Sequence, residues 1–384
     1  MKTNKNPLGL YVHIPFCARK CRYCDFASFA MLDPHIHRDY VEKLIKEISF
    51  KAETFAADYF LDTIYIGGGT PSIILPSLIE EITDAIYVCF NVADDCEITI
   101  EVNPATVDSY ALREYRTAGV NRLSIGAQSF NEKHLKYLGR IHDASDIFTC
   151  YEDAVSSGFS NINVDLIFGL PEQTLSEWEE DVRTLLGVGP AHISFYSLQI
   201  EEGTQVFSDI MSGRATEADE FDDRRMYHIA KELLSGSGYV HYEISNSAKP
   251  GFESKHNLKY WSLQDYIGVG LAAHSYVCGH RFSNTSELTD YLSSAKSIDM
   301  IDFIHKNTRG ENMSEYVFLG LRKTEGINLS HFKKEFGRDF WETYGEETES
   351  LIGRGLLEVE EAHGQLRLTE LGLDLANSVF VEYV

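Results

Sequence analysis

The stretch "HIPFCARKCRYCDFAS" places Cys17, Cys21 and Cys24 within eight residues and no fourth cysteine beside them. Clustered thiolates hold zinc or iron-sulfur clusters. A structural zinc site takes four protein ligands, and here His13, Asp25, His35 or His37 would have to complete the set. The three-then-two spacing matches neither common ferredoxin run, and three thiolates on four irons leave one iron open to a substrate or cofactor. The remaining cysteines, Cys89, Cys96, Cys150 and Cys278, stand in unrelated contexts. They read as buried hydrophobes, and an odd total of seven argues against a disulfide framework.

Other polar residues fall where chemistry would need them. β-rich segments recur as "GLYVHI", "LDTIYIGGG", "CEITIEVNP", "RLSIGAQS", "NINVDLIFG" and "HISFYSLQI". Helically spaced stretches such as "RDYVEKLIKEI" and "LSEWEEDVRTLL" lie between them. Six strand-helix units predict a parallel sheet with right-handed crossovers, short of the eight units of a closed barrel. In such folds ligands gather at the C-terminal strand ends. Gly67, Gly68, Gly69 and Thr70 end the second strand, Glu101 and Asn103 the third, and Gln128 and Ser129 the fourth, while Asp165 lies on the fifth. Each alone reads as a turn or capping residue; together they predict one ligand-binding rim beside the cysteines. The glycine run lacks the Lys-Ser or Lys-Thr of a P-loop.

Composition sets the frame. With 384 residues and 43% apolar content the chain can bury a large core and divide into two or three domains. No apolar run is long enough for a membrane helix, and the polar start "MKTNKNPLG" has no signal-peptide core, so a cytoplasmic protein is expected. A net charge of −25 argues against binding nucleic acid through its phosphates. The acidic stretch "EADEFDDRRMYHIAKELL" reads as a solvated helix face.

The C-x3-C-x2-C spacing, with "YVHIPFC", "YIGGGTPS", "EVNP", "GAQSF", "LGRIH" and "VDLIFGLP", resembles the radical S-adenosylmethionine (SAM) superfamily. Within it, the chain is similar to the branch of oxygen-independent coproporphyrinogen III oxidase and the HemW-type heme chaperones. The resemblance implies an α/β fold: a partial (β/α)6 radical SAM barrel over residues 1–240, an extension over 241–310, and a winged-helix-like α+β domain over 311–384. It implies a [4Fe-4S] cluster on Cys17, Cys21 and Cys24, whose open iron takes the amino and carboxylate groups of SAM. Tyr11, Tyr23, Gly68, Gly69, Thr70, Glu101, Gln128, Arg140 and Asp165 would hold SAM. A carboxylate suits ribose hydroxyls, and a guanidinium suits a carboxylate.

Within the branch, three features point to the chaperone. Phe26 stands where the oxidase pattern has a fourth cysteine; the lead before the first strand is short; and "KHNLKYW" resembles the H-N-x-x-Y-W motif associated with heme in the chaperones. On that resemblance His256, Asn257, Tyr260 and Trp261 would bind heme, with His274 in "GLAAHSY" a second pocket candidate. The expected function is to bind heme and deliver it to heme proteins such as respiratory enzymes, a client that would bring the chain to the membrane surface without an anchor. The alternative is a coproporphyrinogen III dehydrogenase, which Phe26 disfavours, although the fold is in principle able to cleave SAM. A zinc-binding protein with a vestigial SAM site is the third reading. Monomer and dimer are both compatible with the sequence.

Overall fold

The computed structural model describes residues 5–295 and 297–384; Met1–Asn4, the head of the polar start, lie outside them. The six expected strands are present as Asn6–Ile14, Tyr59–Gly68, Val92–Val102, Arg122–Gln128, Asn161–Phe168 and His192–Ser197. They lie side by side in chain order, all parallel. Apolar residues recur at every second position along them: Leu8, Leu10, Val12 and Ile14 are fully buried, as are Ile66, Ile100, Leu123, Ile125, Val164 and Leu166, while Tyr65, Thr99, Ser124 and Asp165 fall between them on the other face.

The helices between them follow from their caps and spacing. The first, Pro34–Phe55, starts where Asp33 accepts the His35 N–H and Pro34 needs no hydrogen-bond partner. It buries Tyr40, Val41, Leu44 and Ile48, a three-to-four-residue rhythm that lays one face on the sheet. Helix Leu175–Val188 opens with a capping box between Thr174 and Glu177 and closes on Gly189 at φ 74°. The acidic stretch forms helix Glu220–Gly236, which buries Met226, Tyr227, Ala230 and Leu234 and exposes Glu220, Asp222 and Arg225, while Asp223 turns in to accept from the Ser197 hydroxyl.

The sheet is larger than the sequence led one to expect. Among the described residues it has twelve strands and stays open. Strand Tyr266–Val269 pairs in parallel with the first strand, and His274–Val277, His280–Asn284 and Ile301–Lys306 continue beyond it in antiparallel. At the other end Asn246–Ala248 and Val240–Glu243 are added in antiparallel. These pieces are three to six residues long, too short for a period-2 signal.

The C-terminal segment has its own apolar core around Val317, Phe332, Phe340 and Leu366. Helices Arg309–Gly320, Leu329–Phe336 and Phe340–Gly353 pack with a three-stranded sheet in which Gln365–Leu368 lies between Ile327–Asn328 and Leu357–Glu360, a winged-helix-like arrangement. It rests on helix Glu220–Gly236 through His228–Asp374 and Lys231–Glu370.

Two cysteine expectations need correction. Cys96 and Cys150 are buried, but Cys89 is half-buried and Cys278 exposed. Cys278 sits in a turn at φ 48°, where its Sγ lies 3.2 Å from the Tyr59 hydroxyl.

Candidate functional site: a cysteine-lined cavity and its aromatic neighbour

The three cysteines follow the first strand and line one cavity of about 150 Å³ at the C-terminal strand ends. Tyr23, Gly68, Gly69, Thr70, Glu101, Gln128, Arg140 and Asp165 line the same cavity. Residues spread over nearly 150 positions therefore converge because each ends, or sits near the end of, a neighbouring parallel strand or follows it closely.

The sulfurs have donors. Arg140 Nη1 donates to Cys21 Sγ at 3.3 Å, and Thr70 Oγ1 to Cys17 Sγ at 3.5 Å. Ser28 Oγ is 4.0 Å from Cys24 Sγ. Burial pushes the Cys17 and Cys24 thiols up, so positive charge is needed to hold them as thiolates. Iron supplies it. No three His, Cys, Asp or Glu among the described residues converge as a single metal ion requires, whereas three cysteines around one cavity suit the wider span of a cluster. Of the candidate fourth zinc ligands, His13 is committed elsewhere: its Nδ1 meets the Tyr11 hydroxyl at 2.9 Å and its Nε2 the Ala27 carbonyl at 2.9 Å.

The glycines leave room that side chains would fill. A Cβ on Gly69 would stand 2.8 Å from the Phe16 carbonyl oxygen and 3.0 Å from Cys17 Sγ. Gly68, at φ 115°, would drive one into the His13 ring. Gln128 takes φ 72°, a strained value for a non-glycine residue, at the end of its strand. Its Oε1 accepts from the Tyr196 hydroxyl at 3.1 Å.

Charge in the cavity is complementary to SAM. Glu101 accepts from the Tyr65 hydroxyl at 2.8 Å and from the Gly68 N–H at 3.1 Å. Burial nevertheless pushes its carboxyl up to about 7, with the Asp165 charge adding to the effect. Asp165 accepts from Asn163 Nδ2 at 2.6 Å and Ser124 Oγ at 3.2 Å, and burial raises it too. Such carboxylates gain from the hydroxyl donors and positive charge that SAM carries. Arg140 Nη2 donates to the Gly126 carbonyl at 2.8 Å, while its buried Nε has no partner. That free donor suits a carboxylate. The residues present fit both the cluster and SAM.

Sequence reasoning missed the layer beneath. His192 Nδ1 lies 2.6 Å from Asn163 Oδ1 and its Nε2 2.7 Å from the Tyr242 hydroxyl, and the same Asn163 carries Asp165. His142 similarly meets Asn103 Oδ1 at 3.1 Å and the Ala127 carbonyl at 3.0 Å. No spacing rule links residues that meet only across strands, although Asn163 and His142 each lie two positions from a named site residue, Asp165 and Arg140.

Tyr11 does not line the cysteine cavity. It lines a second cavity of about 550 Å³, walled mainly by aromatic and aliphatic side chains, which holds Tyr260, Trp261 and His274. Phe26, Gly68 and Glu101 line both cavities, so the two adjoin. Phe26 is 62% exposed, a large apolar ring left at the seam.

His256 is near this cavity but not on its wall. It is 1% exposed, with Nδ1 2.8 Å from Thr63 Oγ1, Nε2 2.8 Å from the Tyr260 hydroxyl, and its ring stacked on Tyr65 at 5.2 Å. Burial pulls its pKa down to about 3, so it is neutral. Asn257 lies off the wall too, in the first turn of helix Lys255–Trp261, where its N–H donates to Ser254 Oγ at 3.4 Å. Trp261 is covered by the Arg322 guanidinium, 4.2 Å from its ring centroid.

Comparisons with known proteins agree with this architecture. The radical SAM superfamily profile matches residues 11–185 and the HemN C-terminal domain profile residues 307–375. The heme chaperone HemW of Lactococcus lactis is 36% identical over 99% of this chain and 98% of its own length. That of Bacillus subtilis is 37% identical over 96% and 97%, and that of Escherichia coli 40% identical over 71% and 70%. Among solved structures, coproporphyrinogen III oxidase (HemN) from Escherichia coli, a radical SAM enzyme, superposes with a TM-score of 0.86 at 24% identity, over 99% of this chain and 90% of that one. Such a likeness speaks to the fold. The chain belongs to the family of the HemW heme chaperones, within the radical SAM superfamily.

Proposed function

We propose that this protein is a heme chaperone that carries a [4Fe-4S] cluster on Cys17, Cys21 and Cys24, binds SAM beside it, and passes heme to heme proteins such as respiratory enzymes. The observation that carries this reading is the adjacency of two cavities of opposite character, one lined by thiols and charges and one by aromatic rings, joined at Phe26, Gly68 and Glu101. When bound, cluster and SAM supply one-electron reductive chemistry. The chain's own groups do the rest: Thr70 and Arg140 donate to the sulfurs, Arg140 would take the SAM carboxylate, Asp165 and Glu101 would take hydroxyls, and Gln128 and Tyr23 line the wall. The larger cavity offers faces for a flat apolar ligand, with Tyr260 and Trp261 among them.

No helix among the described residues is long and apolar enough to cross a membrane. The test is transfer itself. Heme-loaded protein is mixed with an apo-cytochrome, and the holo-cytochrome formed is compared with that from an equal amount of free heme bound to albumin. Faster or more complete loading from this protein is expected. Equal or slower loading would overturn the delivery role.

A further inference from the structure

Three histidines stand at or beside the aromatic cavity, and they differ in one respect that decides which can ligate iron. His13 and His256 have both ring nitrogens engaged by protein groups. His274 lines the cavity with an exposed side chain, and neither of its ring nitrogens makes a hydrogen bond among the described residues. A heme-iron ligand must present an unshared imidazole lone pair. We infer that His274 is the protein ligand to the heme iron in the aromatic cavity, and that His256 is a positioning residue that holds Tyr260 on the cavity wall.

This rests on the heme-binding reading above and sharpens it. The backbone that presents His274 is built to hold one conformation. Gly270 takes φ 98° and Ala272 φ 53°, the latter strained for a residue with a Cβ. Glu47 accepts the Gly270 N–H at 2.8 Å, Tyr40 the Leu271 N–H at 2.9 Å, and Asn284 Nδ2 donates to the Gly270 carbonyl at 2.7 Å. Ala272 N–H donates to the Thr285 carbonyl at 2.8 Å. A turn tied at four points, three of them to the buried Glu47, Tyr40 and Asn284, carries His274 directly into strand His274–Val277. Partial burial and the nearby Arg281 lower the His274 pKa, which keeps the ring neutral and its lone pair free at pH 7.

The rest of the wall is consistent with an iron-centred mode of recognition. Arg281, the cation on the wall, gives its Nε and Nη2 to Glu315 at 2.7 and 2.8 Å. It is therefore already paired, and a porphyrin's propionates find no free guanidinium there. Affinity comes from the aromatic faces and the iron bond. A cavity of about 550 Å³ lies within the usual range for ligand pockets.

The test uses the full-length, cluster-reconstituted protein titrated with ferric heme, followed by Soret absorption and by electron paramagnetic resonance of the heme iron. For His274→Ala, the imidazole-ligated spectrum should be lost, affinity should fall about tenfold or more, and added imidazole should restore the spectrum. His256→Gln, which keeps a hydrogen-bonding group toward Tyr260, should retain the imidazole-ligated spectrum. An unchanged spectrum in His274→Ala would overturn the inference, as would loss of that spectrum in His256→Gln alone. Either result leaves the chaperone reading standing, whereas failure of the wild-type protein to bind heme at all would remove both.

Discussion

The imidazole of His256 is closed off by Tyr260, whose hydroxyl lies 2.8 Å from Nε2, while Thr63 holds Nδ1 at the same distance. The pair ties helix Lys255–Trp261 to the second strand of the sheet and turns Tyr260 toward the aromatic cavity. Replacing His256 by Ala leaves two buried hydroxyls without this partner and should cost about 1–3 kcal/mol of stability. Thermal unfolding of the two proteins reads this directly, and iron content should stay at the wild-type level.

Cys17, Cys21 and Cys24 should each be required for the cluster. Substitution of any one by Ala should remove most of the iron and sulfide after anaerobic reconstitution, because no other thiol lines the cavity. Cys150→Ala, at a buried position on helix Ala144–Ser156, is the control and should reconstitute fully. Iron and sulfide analysis checks both, and full iron in one of the three variants would remove that residue from the ligand set.

The close approach at Gly69 gives a steric test. Gly69→Ala places a methyl against the Phe16 carbonyl and Cys17 Sγ, where the backbone oxygen has no room to retreat. Cluster content should fall by half or more, roughly, and SAM affinity by about tenfold or more. Equilibrium dialysis with labelled SAM measures the second effect. A fully loaded Gly69→Ala protein with unaltered affinity would contradict the packing described at the strand end.

Glu101 gives a pH dependence with a definite sign. Its carboxyl is raised by burial from an ordinary value of 4.5 to about 7 in the folded, ligand-free protein. Its contribution to stability is thus fully present below about pH 4.5 and is lost as pH rises through about 7. Glu101→Gln abolishes that term. The unfolding free energy of the variant relative to wild type should rise from pH 5 to pH 8, by an amount on the order of 1–3 kcal/mol. SAM should narrow the difference, because its donors favour the ionised carboxylate; a pH-independent difference would mean that Glu101 titrates normally.

Much of this was legible in the sequence, for physical reasons. The six parallel strands announce themselves because a strand with one apolar face repeats apolar residues at every second position, as "NINVDLIFG" does with Ile162, Val164 and Leu166. The converging rim follows, since parallel strands bring their C-terminal ends to one edge. Cys17, Gly69, Glu101, Gln128, Arg140 and Asp165 meet in one cavity as expected. The strands from 266 to 306 were not legible: "YIGV" and "HSYV" are four residues each, and their parallel or antiparallel pairing is set by partners far away in sequence. Side-chain direction was the other limit. A helix of seven residues gives His256 and Tyr260 one face in common, but only the packing shows that His256 points inward to Thr63 while Tyr260 reaches the cavity.

The most direct test of the central claim combines two readouts on one anaerobic preparation of the reconstituted protein. Ferric heme is titrated into one portion; SAM, a reductant and coproporphyrinogen III are added to the other, and the porphyrinogens are separated by chromatography. The expected result is one heme bound per chain with the cluster intact and no decarboxylated product. Repeated turnover to protoporphyrinogen, or displacement of the cluster by heme, would contradict a chaperone built from two adjoining cavities that meet at Phe26.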